Sequence, residues 1–127
     1  MQTLLTIRVQ CMESCEVQGK TRKICMVPFT GEAGGDFFRG KTIGTGVDTQ
    51  TYREGETPSL SARYMLEGED YTGQQCRIFI DNSLRDDSGW HPQVTTDSRA
   101  LSAWEEEPLL ATVDPAPGGV VVQIFRR

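Results

Sequence analysis

The sequence predicts an all-β chain, a small closed antiparallel β-barrel of about eight to nine strands with one short helix. Three observations point there. Stretches rich in Thr, Val, Ile, Tyr and Phe recur along the whole chain, and the 13 glycines and 6 prolines fall between them. No helical heptad or internal repeat interrupts this punctuation. The 127 residues match one domain, residues 1–127, with enough chain for one modest core.

The elements follow in order. Strands are expected near 3–10, 23–29, 37–43, 47–53, 60–66, 76–82, 92–96, 109–113 and 120–125, with hairpin loops at 44–46, 54–56, 68–73 and 115–119. The glycine-rich run Gly31 to Gly40 lies between strands, has no helix after it to cradle a phosphate, and reads as a bend or bulge at a barrel corner. The stretch 97–104 is the one helical signal: Asp97 or Ser98 can cap it and Pro108 stops it. So many hairpin-joined strands leave bare edges in an open sheet. Closure into a barrel removes those edges; a two-sheet sandwich is the alternative solution.

Side-chain parity is legible in the middle of the chain. In Leu60-Ser-Ala62-Arg-Tyr64-Met-Leu66 the even positions carry the apolar set, and in Cys76-Arg-Ile78-Phe-Ile80-Asp-Asn82 the even positions again look inward. Pairing the two about a turn near Asp70–Tyr71 sets Tyr64 beside Ile78 and Leu60 beside Asn82, so Tyr64 and Asn82 bring polar atoms to the interior. In the strand 47–53, Asp48, Gln50 and Tyr52 share one face. A hairpin through 54–57 places Gln50 opposite Ala62 and Asp48 opposite Tyr64, aiming a carboxylate and an amide inward; a one-residue slip reverses this. A buried carboxylate needs a partner or a wet cavity. Arg39 is the nearest candidate across the 44–46 turn, and a plain fold-stabilising Asp48–Arg39 ion pair is the alternative to a functional pair.

Charge and motifs narrow the function classes. The net charge is −5 with 24% charged residues, and Lys and Arg form no basic stripe, which argues against nucleic acid as a partner. The longest apolar run, 118–125, is too short to span a bilayer as a helix, and no signal peptide is evident at the start, so a cytoplasmic location with no membrane partner is expected. Cys11, Cys15, Cys25 and Cys76 read as free thiols of a reducing compartment. Cys11-x-x-x-Cys15 could offer two thiolates, but His91 is the one histidine and no second close Cys pair completes a zinc set, so no metal is expected. His91, after the loop 86–89, reads as an exposed loop histidine. No phosphate loop, nucleophile elbow or dinucleotide fingerprint is present, and no cofactor is expected.

The chain also resembles a family. Gly19-Lys-Thr-Arg22, then Val27-Pro-Phe-Thr-Gly-Glu-Ala-Gly-Gly-Asp-Phe-Phe-Arg-Gly40, Gly44-Thr-Gly46-Val-Asp48-Thr-Gln50, Leu60-Ser-Ala62-Arg63-Tyr64-Met-Leu66, Ile78-Phe-Ile80-Asp-Asn82 and Pro92-Gln-Val-Thr-Thr96 resemble the conserved blocks of domain of unknown function 3237, across nearly the whole chain. The resemblance implies a small antiparallel barrel, mostly without assigned activity, in which Arg39, Gly40, Asp48, Gln50, Arg63 and Tyr64 occupy recurring positions. Thr49 stands where an aromatic is usual, and Thr95 where a larger, often acidic residue is.

A small-molecule-binding barrel is therefore expected, with cofactor-free acid–base chemistry such as isomerisation, cyclisation or water elimination at its mouth. Asp48 would be the general base, Arg39 would stabilise developing negative charge, and Tyr64 would donate a hydrogen bond. Gln50, Tyr52, Arg63, Asn82 and Thr95 would bind the ligand. A non-catalytic carrier barrel and a structural oligomeric protein are the alternatives. The closing strand, apolar on both faces, predicts a homo-oligomer, a dimer or larger.

Overall fold

The computed structural model describes residues 1–84, 86 and 88–126; Asp87 of the 86–89 loop lies outside them. Ten strands make one antiparallel sheet: β1 (Gln2–Cys11), β2 (Cys15–Gln18), β3 (Lys23–Gly34), β4 (Phe38–Thr42), β5 (Gly46–Tyr52), β6 (Ser59–Asp70), β7 (Gln75–Leu84), β8 (His91–Thr96), β9 (Leu109–Ala116) and β10 (Gly119–Arg126). The path through the sheet is β8-β7-β6-β4-β3-β1-β10-β9, with β2 on β3 and β5 between β3 and β6. The two end strands of that path approach each other beside a single bridge, Trp90 to Ala111. No helix among the described residues is long and apolar enough to cross a membrane.

Among the described residues the strands number ten, not eight or nine. The addition is β2, whose four residues are all exposed and therefore show no apolar alternation to find. β3 also runs on through Gly31 to Gly34, residues read from sequence as a corner. The β-carbon of any other residue at Gly31 would sit 3.2 Å from Ile7 Cγ2 and 3.4 Å from a β1 carbonyl, so this glycine serves close strand packing rather than a bend.

The expected hairpin at 44–46 does not form. β4 and β5 do not pair with each other; both are antiparallel to β3 and to β6. On β6, Thr42 faces Leu66 and Val47 faces Arg63, so the two segments are one strand interrupted by a two-residue slip. Gly44, with φ of +59°, supplies the left-handed kink at the joint, and Ile43 donates its amide to the Met65 carbonyl beside it. Because two residues are inserted, even-numbered positions face inward on both sides of the joint.

Both expected hairpin registers are displaced by two residues with their faces preserved. Tyr64 pairs with Ile80 and Ala62 with Asn82. The cause is the Asp70 carboxylate, which accepts the Thr72 and Gln74 amides and moves the turn forward to Gly73, φ +88°. Asp48 pairs with Ala62 and Gln50 with Leu60, because Gly55 at φ +76° centres that turn one residue earlier.

The core is the inner face: Ile7, Val9, Phe38, Leu66, Ile78, Ile80, Val122 and Ile124 are all buried. A bulge between Thr3 and Leu5 lets Leu4 and Leu5 both turn inward. Only Ser102–Glu105 of the expected helix is helical, as a 3-10 turn. Ser98 caps the chain before it by accepting the Leu101 amide while donating to Asp70, and Leu101 and Trp104 anchor the turn in the core. Asp97 is diverted to the Arg77 amide. All four cysteines are free.

Candidate functional site

β5 passes between β3 and β6, and its inward face presents Gly46, Asp48, Gln50 and Tyr52 in succession. Gly46 must be glycine. An added β-carbon would lie 2.6 Å from Phe29 Cζ and 2.6 Å from Tyr64 Cβ. Those two rings meet edge to face with centroids 5.2 Å apart. Two residues further on, Asp48 sits between Val27 on β3 and Ala62 on β6, side chains too small and apolar to solvate it.

In front of these residues lies a cavity of about 340 Å³, at the small end of the ~300–1,000 Å³ typical of ligand sites. Its wall is mainly apolar, with Phe29, Trp90 and Val122 among the lining groups, and Asp48, Gln50, Tyr64 and Asn82 supply the polar atoms. Tyr64, Asn82 and Phe29 are buried in this wall, while Gln50 and Leu60 are partly exposed and Cys11 is exposed.

The polar groups are unevenly satisfied. Tyr52 Oη donates to Gln50 Oε1 at 2.6 Å, and Gln50 Nε2 donates to Asp48 Oδ2 at 2.9 Å. Asp48 Oδ1, Tyr64 Oη and Asn82 Oδ1 are buried and meet no protein partner. Each such atom costs the fold about 1–3 kcal/mol. Burial pushes the Asp48 carboxyl above its ordinary value, opposed in part by the Gln50 amide, and burial pushes the Tyr64 phenol up as well. Among the described residues, no Lys, Arg or His lines the cavity.

The expected site residues thus divide. Asp48, Gln50, Tyr64 and Asn82 come together, and Tyr52 joins them through Gln50. Arg39, Arg63 and Thr95 stand elsewhere. Arg39 is an odd-numbered residue of the interrupted β4–β5 strand; it is exposed, in register with Glu69, and cannot reach Asp48 because no 44–46 hairpin folds it back. Arg63 faces outward and pairs with Asp81 at 3.3 Å. Thr95 is exposed on β8, in an outer groove beside Trp104 and Pro108. Sequence reasoning missed the apolar lining from Val9, Trp90, Val113 and Val122. Parity in β10 is ambiguous from sequence, and Trp90 enters the wall through a bridge to a distant strand.

The arrangement offers a carboxyl protonated more readily than usual, a phenol and an amide at one end of an apolar chamber. It can take and return a proton, and it can orient a hydrogen-bonding ligand.

No protein-family model matches the chain, and no curated protein matches its sequence. Solved structures do match. A protein of unknown function from Clostridium acetobutylicum superposes with a TM-score of 0.78 at 17% identity, over 98% of this chain and 96% of that one. A β-barrel-like protein from Acinetobacter baumannii gives 0.77 at 15% identity, covering 98% and 93%. An enzyme from Penicillium herquei gives 0.76 at 15% identity, covering 98% and 91%. At these identities the likeness is one of fold.

Proposed function

We propose that this protein is a closed β-barrel of the domain of unknown function 3237 kind that binds a small organic molecule and carries out cofactor-free acid–base chemistry on it. The single observation behind this reading is that three residues lining one apolar cavity, Asp48, Tyr64 and Asn82, each keep a buried polar atom without a protein partner. A fold that keeps such groups destabilises itself, and functional sites are where that cost is tolerated. The Trp90–Ala111 bridge between the ends of the sheet supports closure. An enzyme among the structural neighbours supports catalysis on this fold. Four unbridged thiols suit the cytoplasm.

Asp48 is the proton-exchanging group, isomerisation, ring closure or loss of water being the reaction types, and Tyr64 and Asn82 orient the substrate. The ligand is largely apolar, as the wall is, and it carries a hydroxyl or N–H that the Asp48 and Asn82 side chains can accept. A carrier without chemistry is the second reading. It is favoured by the absence of Arg39 from the cavity, which leaves no cation for a developing oxyanion among the described lining residues.

Binding of 2-naphthol, 2-methoxynaphthalene and 2-naphthoate, followed by amide shifts of β5 and β7, tests the ligand class. The naphthol should bind at least tenfold more tightly than either analogue, and Asp48→Asn should weaken it. Equal binding of the naphthoate would exclude the ligand class, and no binding by any of the three would remove the cavity as a ligand site.

A further inference from the structure

Tyr52 sits at the end of β5, half-buried and outside the cavity wall, yet it is tied to Asp48 through Gln50. The three side chains are at i, i+2 and i+4 on one face of a strand, the spacing that lets each touch the next. The chain of hydrogen bonds has a direction. With Asp48 ionised, Gln50 must turn its nitrogen to the carboxylate, because its amide oxygen there would set two acceptors about 2.9 Å apart. Gln50 Oε1 then faces Tyr52, and Tyr52 must donate. Lys23 Nζ lies 4.9 Å from the Tyr52 ring centroid, and a cation over the ring draws charge from the hydroxyl and favours it as donor rather than acceptor.

When Asp48 takes up a proton, two arrangements compete. The proton can sit on Oδ2, which requires Gln50 to flip and Tyr52 to accept. Alternatively the proton can sit on Oδ1, and then the ladder stays as it is. We infer that Tyr52 is a positioning residue that holds Gln50 Nε2 on Asp48 Oδ2, so that Asp48, a residue of the cavity wall, exchanges its proton only through Oδ1, the buried oxygen with no protein partner. The inference rests on Asp48 as the proton-exchanging group of the proposed function and deepens it. The same carboxyl is then an acid with its proton on Oδ1 or a base with its lone pair there, and the Tyr52–Gln50 ladder is unchanged between the two.

Other groups facing the ladder are few. From β3 come Lys23, Cys25 and Val27, in register with Tyr52, Gln50 and Asp48. Lys23 is itself paired with Glu16 on β2 at 3.5 Å. From β6 come Leu60 and Ala62. Tyr64, Asn82 and Cys11 face the cavity with Asp48.

Carboxyl-carbon NMR titration of the ligand-free protein tests this without a substrate, so it fails or succeeds separately from the ligand panel. Tyr52→Phe should raise the Asp48 titration midpoint by roughly half a pH unit or more, and Gln50→Leu by more than that, because each weakens or removes a donor to the ionised form. In the unmodified chain the Gln50 side-chain amide signals should move with the Asp48 titration and keep one orientation throughout. A purely structural Tyr52 would lower stability and leave the midpoint in place. An unshifted midpoint in Tyr52→Phe would overturn the inference. So would Gln50 amide signals that ignore the Asp48 titration, a measurement that needs neither variant to fold.

Discussion

At the scale of single residues, the site is built from groups that the ligand-free fold would be better without. Tyr64 Oη is buried with no protein partner, so Tyr64→Phe should leave stability unchanged or raise it by about 1 kcal/mol, read from denaturant midpoints. Loss of more than that would mean the hydroxyl serves the fold. Gly46→Ala should cost about 1–3 kcal/mol, because its β-carbon collides with Phe29 and Tyr64 and must push apart the ring pair that floors the cavity. Asp48 has a pH signature. Its folded value is raised, so the folded state holds the proton more tightly than the unfolded chain, and the fold weakens as pH rises from about 3.8 through the folded value. Asp48→Asn should flatten stability over that window, and an unchanged pH profile would count against a buried carboxyl here.

Among the elements, the β4–β5 joint and the β6–β7 turn decide what the site contains. The two-residue slip at 43–45 keeps Phe38 and Asp48 on the inner face and leaves Arg39 outside. The turn is organised by Asp70, which also binds Ser98 ahead of the 3-10 segment. Hydrogen bonds from Ser98 first, then Thr72, hold the Asp70 carboxyl at about 2. Here the sign is the reverse of that for Asp48. Its stabilisation is present above about 3.8 and is lost as pH falls from there toward 2. Ser98→Ala should shrink that acid-sensitive part of the profile, seen as a smaller drop in thermal midpoint between pH 4 and about 2.5; an equal drop would show that Ser98 is not the main donor.

The whole molecule redistributes the apolar surface that suggests association. Along β10 the inner face takes Val122 and Ile124, while the outer face alternates Val121 and Phe125 with the exposed Gln123, beside Arg8, Thr6 and Asp114. An apolar outer patch lies on β6 and β7: Met65 is 38% exposed, Phe79 is its register partner, and Ile43, 40% exposed, bonds to the Met65 backbone. We propose the homo-oligomer through this patch. Sedimentation should give a dimer that Met65→Glu converts to a monomer. A monomeric unmodified chain at high concentration would exclude it.

From the sequence alone, the alternation of apolar and polar residues determined the all-β class, nine of the ten strands among the described residues and the inward faces of β6 and β7, because a period of two is a local property that survives an error of two residues in register. Tyr64 and Asn82 were legible for that reason, whereas the face of Asp48 and Gln50 hung on the register of β5, which only its pairing with β3 and β6 settled. Tertiary structure alone decided that β4 and β5 are one kinked strand, that Arg39, Arg63 and Thr95 stand away from the cavity, and that Trp90 and Val122 wall it. Those facts depend on which distant segments meet. Asp70 can reset a turn because its own backbone neighbours are within reach, but its hold on Ser98 exists only once a segment 28 residues away is packed beside it. Local patterning sets the face a side chain takes, and long-range pairing sets what it faces.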